Sequence, residues 1–307
     1  MEVTNPHDKF FKESFSDKMF ALDFIQGAFP KDLLEKLDLN SLELDNNSYI
    51  DEELKEFFSD IVYNCNYAES KVKVALLFEH KSYLPDYPFL QLLKYMIKIW
   101  DTDIKQKEKL TPVIPVIFYH GTEKWEYKKI FEYFENIDSI LHNFIPDFNY
   151  ILTDLSNYSN EQLKNELFHN ELLKVSLLIM KNIFDEKKLK KNLEDFIKLG
   201  KFYYEEERGL RFLESLIRYI YNNVENIGAD EVIDTVKKIS TVGGEQSMTV
   251  AMKLREEGKI EGKIEGEIKV AVKMIKQGYS IENVLECTDL KKSEVQSLLE
   301  KYRVSKS

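Results

Sequence analysis

The chain has 307 residues, 43% of them hydrophobic and 13% aromatic, which is enough apolar material for a large core and one or two domains. Its 54 acidic side chains outnumber 43 basic ones, and the net charge of −11 excludes a protein that coats nucleic acid non-specifically, since phosphate binding rests on Lys and Arg. It does not exclude a nuclease, whose acids hold cations while a local basic strip meets the backbone.

The opening TNPHDKFFKESFSDKMFALDFIQGAFP reads as helix, with Asn5 as cap, Pro6 at the first helical position and Asp8 where the helix dipole favours an anion. Phe10, Phe11 and Phe15, then Met19, Leu22 and Phe24, recur at helical spacing across a break near Ser16, and Gly27 and Pro30 close the region. SLELDNNSYI predicts a first strand near 41–50, ending in a DNN turn signal. Two β-rich runs follow, about 58–66 and 71–80, with a polar connection that suits a hairpin.

DYPFLQLLKYMIKIWDTDIK is an amphipathic helix whose apolar stripe is Leu92, Leu93, Met96, Ile99 and Trp100. LTPVIPVIFYHG supplies another strand, provided that Pro112 and Pro115 lie at its start or on an edge, and FNYILTDLSNYS gives one more around 148–159. The order is helix, three strands, helix, strand, an α/β core over 1–160. A helical extension follows over 161–245, ended by a Gly-Gly break in STVGGEQSMT, and then a C-terminal helical tail over 246–307.

The tail repeats EGKI every four residues, setting Gly258, Gly262 and Gly266 in one row beside Ile260, Ile264 and Ile268. Such a row suits either a close-packed seam in a homo-oligomer or a semi-flexible linker helix. Gly278 stops it, Ser280 caps the next helix, and the two short helices that end the chain fit a helix-turn-helix or a generic helical hairpin.

No apolar run approaches the roughly 18 residues of a membrane helix, and MEVTNPHDKFF lacks the features of a signal peptide, so a cytoplasmic protein with no membrane attachment is expected. Cys65 and Cys287 form no CxxC pair and the five histidines form no HxxxH or HExxH pair, so any metal would be a hard cation held by oxygen.

KVKVALLFEHKSYL begins as a buried strand and runs into Glu79, His80 and Lys81. Glu79 and Lys81, two apart, share one face of the strand, and a hairpin would bring the Asp60 carboxylate of the neighbouring strand beside Glu79. Two adjacent carboxylates raise each other's proton affinity unless a cation intervenes, and Mg2+ (or Mn2+ or another divalent cation) is the natural one. Lys81 would then orient or help deprotonate an attacking water.

The set Asp60 … Glu79-x-Lys81, on the second and third strands of this order, resembles the PD-(D/E)xK nuclease superfamily. HDKFFKESF, EELKEFFSDIVY, LLFEHKS and PFLQLLKYMIKIW resemble the recombination-promoting nuclease (Rpn), or transposase-like, family over roughly residues 5–160. The resemblance implies a PD-(D/E)xK-like α/β core (αβββαβ, a mixed sheet flanked by helices) and a Mg2+-dependent DNA endonuclease, linked in bacteria to recombination and to mobile-element or phage conflict.

It implies Asp60 and Glu79 as metal ligands and Lys81 as the water-positioning base. Asp8 matches an acid that some relatives bring to the site from the N-terminal helix, and Gln91 and Tyr95 match a QxxxY pattern on one helical face. The His80 side chain points away from the proposed ion and reads as structural, though its backbone carbonyl could ligate it; Lys94 and Lys98 are candidate phosphate contacts or a solvated stripe, and Ser59 stands where the superfamily has Pro. Each residue also has a plainer role. Asp8 can cap its helix, Gln91 and Tyr95 can pack and hydrogen-bond, and Asp60, Glu79 and Lys81 can form an inert ion network. A non-catalytic oligomeric interaction protein and a transposase-like strand-transfer enzyme are the alternative functions.

Overall fold

The computed structural model describes residues 5–45, 58–79 and 87–303. It is a mixed α/β protein built on a five-stranded sheet flanked by helices. α1 (Pro6–Phe15) and α2 (Lys18–Ala28) are two helices rather than one, followed by the single turn α3 (Lys31–Leu34). Asn5 caps α1 by accepting a hydrogen bond from the His7 amide, and the break falls at Ser16 because Asp17 caps α2 through the Met19 amide.

β1 (Leu37–Asp45), β2 (Phe58–Tyr67) and β3 (Ser70–Glu79) form an antiparallel meander. α4 (Pro88–Lys105) crosses over to β4 (Val113–Tyr119), which lies parallel to β3, and β5 (Ile151–Asp154) lies parallel to β4. The sheet order is therefore the chain order, β1 to β5.

Two strands differ from their expected limits. β1 starts at Leu37, ahead of the expected 41–50, because a register shift between Asp38 and Glu43 interrupts the alternation that reveals a strand; residues 46–50, with the DNN signal, lie outside the described residues. β5 has only four residues of the expected 148–159, since the Asp154 carboxylate accepts from the Ser156 amide and turns the chain into a 3-10 helix. Pro115 is accommodated in β4 because pairing with β5 begins only at Val116.

Each face of the sheet carries a layer of helix. On one face, Phe11, Phe15 and Phe24 surround Phe118 of β4, with ring centroids 5.4–5.7 Å away, and the Tyr63 hydroxyl donates to the Phe15 carbonyl at 2.7 Å. On the other, Leu92, Tyr95 and Ile99 of α4 pack on Val62, Ala75, Ile117 and Tyr119. Each of these buried side chains contributes roughly 1.5–3 kcal/mol of transfer free energy. At the far end of that second face a fully buried ion pair joins the layers, with Lys73 Nζ 2.7 Å from Asp103 Oδ1 and 3.9 Å from Asp45 Oδ2.

Helices α6 (Glu171–Asn182) and α8 (Glu207–Asn223) dock on the α1–α2 layer, and α5 (Asn160–Asn165), α7 (Glu186–Leu199) and α9 (Ala229–Ile239) pack on them in turn. Arg208 of α8 forks onto Asp17 at 2.7 and 3.0 Å, and the buried Asp23 carboxylate accepts from the amides of His169 and Asn170 at the start of α6.

α10 (Thr241–Gln277) corrects one expectation, because it runs straight through Gly243-Gly244 and the chain breaks instead at Ser240, whose hydroxyl accepts from the Gly243 amide. The glycines serve close approach. A Cβ on Gly244 would lie 2.4 Å from Lys237 Cγ, and one on Gly243 would lie 3.1 Å from Leu213 Cδ1.

The chain divides into two compact units, 1–247 and 248–307. In the second, Gly278 adopts φ +89° and ends α10, the Ser280 hydroxyl caps α11 (Ile281–Cys287), and α12 (Lys292–Arg303) follows. Ala271, Ile275, Val284, Leu290, Val295 and Leu299 form its own small core. Among the described residues, no helix is long and apolar enough to cross a membrane.

Candidate active site

The site begins with a carboxylate that the sheet buries. Asp60 on β2 is 8% exposed, and its Oδ2 accepts a hydrogen bond from the Tyr95 hydroxyl at 3.0 Å. Tyr95 is fully buried on α4, and Gln91 lies one turn nearer the start of that helix, half-buried. The i, i+4 spacing thus places both polar groups on the side of α4 that turns towards the sheet. Gln91 Oε1 is buried with no hydrogen-bond partner among the described residues. An amide oxygen withdrawn from water and left unpaired costs about 1–3 kcal/mol, which a ligand at that oxygen would recover.

Backbone register places the second expected acid. Asp60 pairs with Leu77 and Phe58 with Glu79, so alternation puts positions 60, 77 and 79 on one face, with 79 diagonal to 60. For Glu79 only the backbone is described, and His80 and Lys81 lie outside the described residues.

Asp8 stands apart from this group. It is carried by α1, whose Phe11 and Phe15 pack on the opposite face of the sheet, and its Oδ2 lies 3.7 Å from Lys12 Nζ. Its Oδ1 is buried without a hydrogen-bond partner, and among the described residues no hydrogen bond joins Asp8 to Asp60. Lys94 and Lys98 are exposed on α4.

Sequence reasoning missed two nearby features. His120, just past the end of β4, is 3% exposed and stacks on Phe184, while the His7 ring lies 4.9 Å from it and 2.8 Å from the Tyr219 hydroxyl. Burial raises the Tyr219 hydroxyl well above its ordinary range, so it keeps its proton beside His7. The one local signal was His7 beside Asp8 in HDKFF. The Lys73–Asp103 pair was hidden because 30 residues separate its members.

Among the described residues, no three His, Cys, Asp or Glu side chains converge as a metal site. The oxygens on this side of the sheet include the Asp60 carboxylate and the Gln91 amide oxygen, the latter without a hydrogen-bond partner among the described residues, and oxygens are the donors that a hard cation takes.

Residues 5–225 match the family described as "Putative transposase, YhgA-like". The recombination-promoting nuclease RpnD of Escherichia coli O157:H7 is 33% identical over 122 residues, 39% of this chain and 47% of that protein. RpnA of E. coli K12, also named a recombination-promoting nuclease, is 24% identical over 297 residues, 96% of this chain and 97% of its own length. The K12 protein RpnE, named an inactive recombination-promoting nuclease-like protein, is 24% identical over 95% of this chain and 97% of its own. No solved structure matches the chain. With most of the sheet and its helices inside the matched region, the chain belongs to the YhgA-like transposase family, the family of the Rpn recombination-promoting nucleases.

Proposed function

We propose that this protein is a divalent-metal-dependent DNA endonuclease with a PD-(D/E)xK-type site that hydrolyses phosphodiester bonds in recombination or in conflict with mobile elements. The observation that carries the reading is Asp60, buried, hydrogen-bonded by Tyr95 and on the face shared with position 79, with Gln91 one helical turn from Tyr95 and its oxygen without a partner among the described residues. The similarity over nearly the full chain to RpnA, named a nuclease, supports it.

Asp60 and Glu79 would hold the ion, with the His80 carbonyl as a further ligand. When bound, the ion lowers the pKa of a water and offsets charge on the phosphate oxygens. The Tyr95 hydroxyl holds Asp60 in one rotamer by donating to Oδ2. Lys81 aligns the attacking water, Gln91 offers its free oxygen to the same site, and Lys94 and Lys98 meet flanking phosphates. Tyr95→Phe removes one hydrogen bond and little volume, so stability should fall by about 1 kcal/mol while cleavage slows roughly ten-fold. Plasmid nicking at saturating Mg2+ checks this, and an unchanged rate would remove Tyr95 from the site.

The similarity to RpnE, named inactive, gives the non-catalytic reading a specific basis. Plasmid left intact across Mg2+ and Mn2+ titrations would favour it. A strand-transfer enzyme would instead yield joined products when donor ends are supplied, and hydrolysed ends alone would remove that reading.

Homo-oligomerisation through the C-terminal helix belongs to the same proposal. Gly262 and Gly266 have open space where side chains would project, and Ile260 is exposed beside them. Gly262→Leu with Gly266→Leu should lower the mass measured by light scattering, and an unchanged mass would leave the row a solvated helix.

A further inference from the structure

The connection from β4 to β5, residues 120–150, leaves the sheet at Tyr119, which pairs with position 79 of β3, so it begins beside the candidate site. Connections longer than about 12–15 residues are uncommon in compact domains, and binding loops are among the exceptions. Trp125, Ile130 and Tyr150 anchor it as buried side chains, and the Phe148 ring lies 4.1 Å from Phe89 of α4. Other rings on it face water. Phe144 is 79% exposed, Phe134 50% and Tyr127 43%. Tyr87, at the N-cap of α4, is 53% exposed; its ring lies 5.6 Å from that of Tyr133, and its carbonyl accepts from the Gln91 amide at 3.4 Å. Exposed rings thus extend from the connection to the turn of α4 that carries Gln91.

We propose that these rings stack the bases of an unpaired DNA strand, which makes DNA with a single-stranded stretch the substrate of the site. Two platforms are already built. Tyr127 stacks on Tyr150, with 4.5 Å between centroids and 24° between planes, and the exposed His142 stacks on Phe131 at 4.8 Å and 19°. A ring held by a partner ring offers its contact area at little further cost in conformational entropy. Lysines interleave with the rings, since Lys124, Lys128 and Lys129 are exposed. Six acids on the same connection outnumber them, and four act within the chain: Glu132 and Asp138 accept from the amides of Lys129 and Ile140, and Glu126 and Asp147 pair with Lys128 and Lys129. Stacking rather than charge therefore carries the attraction, and stacking needs base faces that a duplex keeps covered.

The place of the rings selects the occupant. Ile140 and Leu141 are exposed too, as at a protein interface, but the rings lead to Gln91 and position 79, past which a substrate strand has to run. That this strand is the one cut rests on the nuclease reading; the stacking does not.

The test is fluorescence anisotropy of the full chain in EDTA, with a labelled single-stranded oligothymidylate and with a labelled duplex of mixed sequence. The single strand should bind at least about ten-fold tighter, and Tyr127→Ala with Phe144→Ala should weaken it about ten-fold or more, while Tyr127→Phe with Phe144→Tyr keeps it. With three lysines on the connection, the slope of log affinity against log salt should be no steeper than about −2. No binding of the single strand, equal affinity for the duplex, a steeper slope, or an alanine double variant that binds like the parent overturns the proposal. So does a double variant of lower mass by light scattering, which assigns the rings to a second copy of the chain. Because no divalent metal is present, a chain that stacks the strand yet leaves plasmid intact in Mg2+ loses the nuclease reading alone.

Discussion

Asp60→Ala is expected to lower plasmid cleavage at saturating Mg2+ by about a thousand-fold or more, because it removes the buried carboxylate on which the proposed site is built. Truncation also leaves the buried Tyr95 hydroxyl without its acceptor, at about 1–3 kcal/mol, so the variant needs a folding control by denaturant titration. Asp60→Asn keeps the shape and an acceptor oxygen for Tyr95, and should keep stability while losing activity. An Asp60→Ala protein that nicks plasmid at the parental rate would remove the nuclease assignment from this site.

Asp103→Ala is expected to cost about 3–5 kcal/mol of stability and to lower the melting temperature by roughly 10 °C. Asp103 is 0% exposed and Lys73 5%, and their 2.7 Å contact is reinforced by the Thr111 amide donating to Asp103 Oδ2 at 3.0 Å. Removing Asp103 takes away the nearest acid of the buried Lys73, and among the described residues Asp45 Oδ2 lies at 3.9 Å. A double change, Lys73→Met with Asp103→Leu, should cost less than the single one, since neither member of the close pair is left without the other. Urea unfolding of the three proteins checks the order, and a single variant no less stable than the double would show that the pair does not hold α4 to the sheet.

These two acids show how differently sequence discloses a site and a scaffold. Asp60 was legible because its partners lie in local patterns: a hairpin register places it relative to position 79, and an i, i+4 step places Gln91 and Tyr95 on one side of a helix. Asp103 was not, because it sits at the end of a helix whose apolar stripe says only that it is amphipathic. Gly243-Gly244 misled for a related reason. Glycine marks both chain breaks and close helix contacts, and only the neighbouring Lys237 and Leu213 decide between them. The apolar stripe of α4 was in plain view as letters, yet only the structure separates Leu92, Met96 and Ile99, which are buried, from Leu93 and Trp100, which are half-buried.

Short-range physics, meaning caps, periodicity and turn chemistry, is written into neighbouring residues, so the sequence by itself determined the element order, the β2–β3 hairpin, the α4 crossover and the helical end with its Gly278 stop. Only tertiary structure decided which face each helix covers, the irregular start of β1, the Asp17–Arg208 tie across 191 residues and the burial of Lys73 with Asp103. Those depend on which distant surfaces meet, and a buried charge or an extra residue in a strand is stable only once its partner, far along the chain, has arrived.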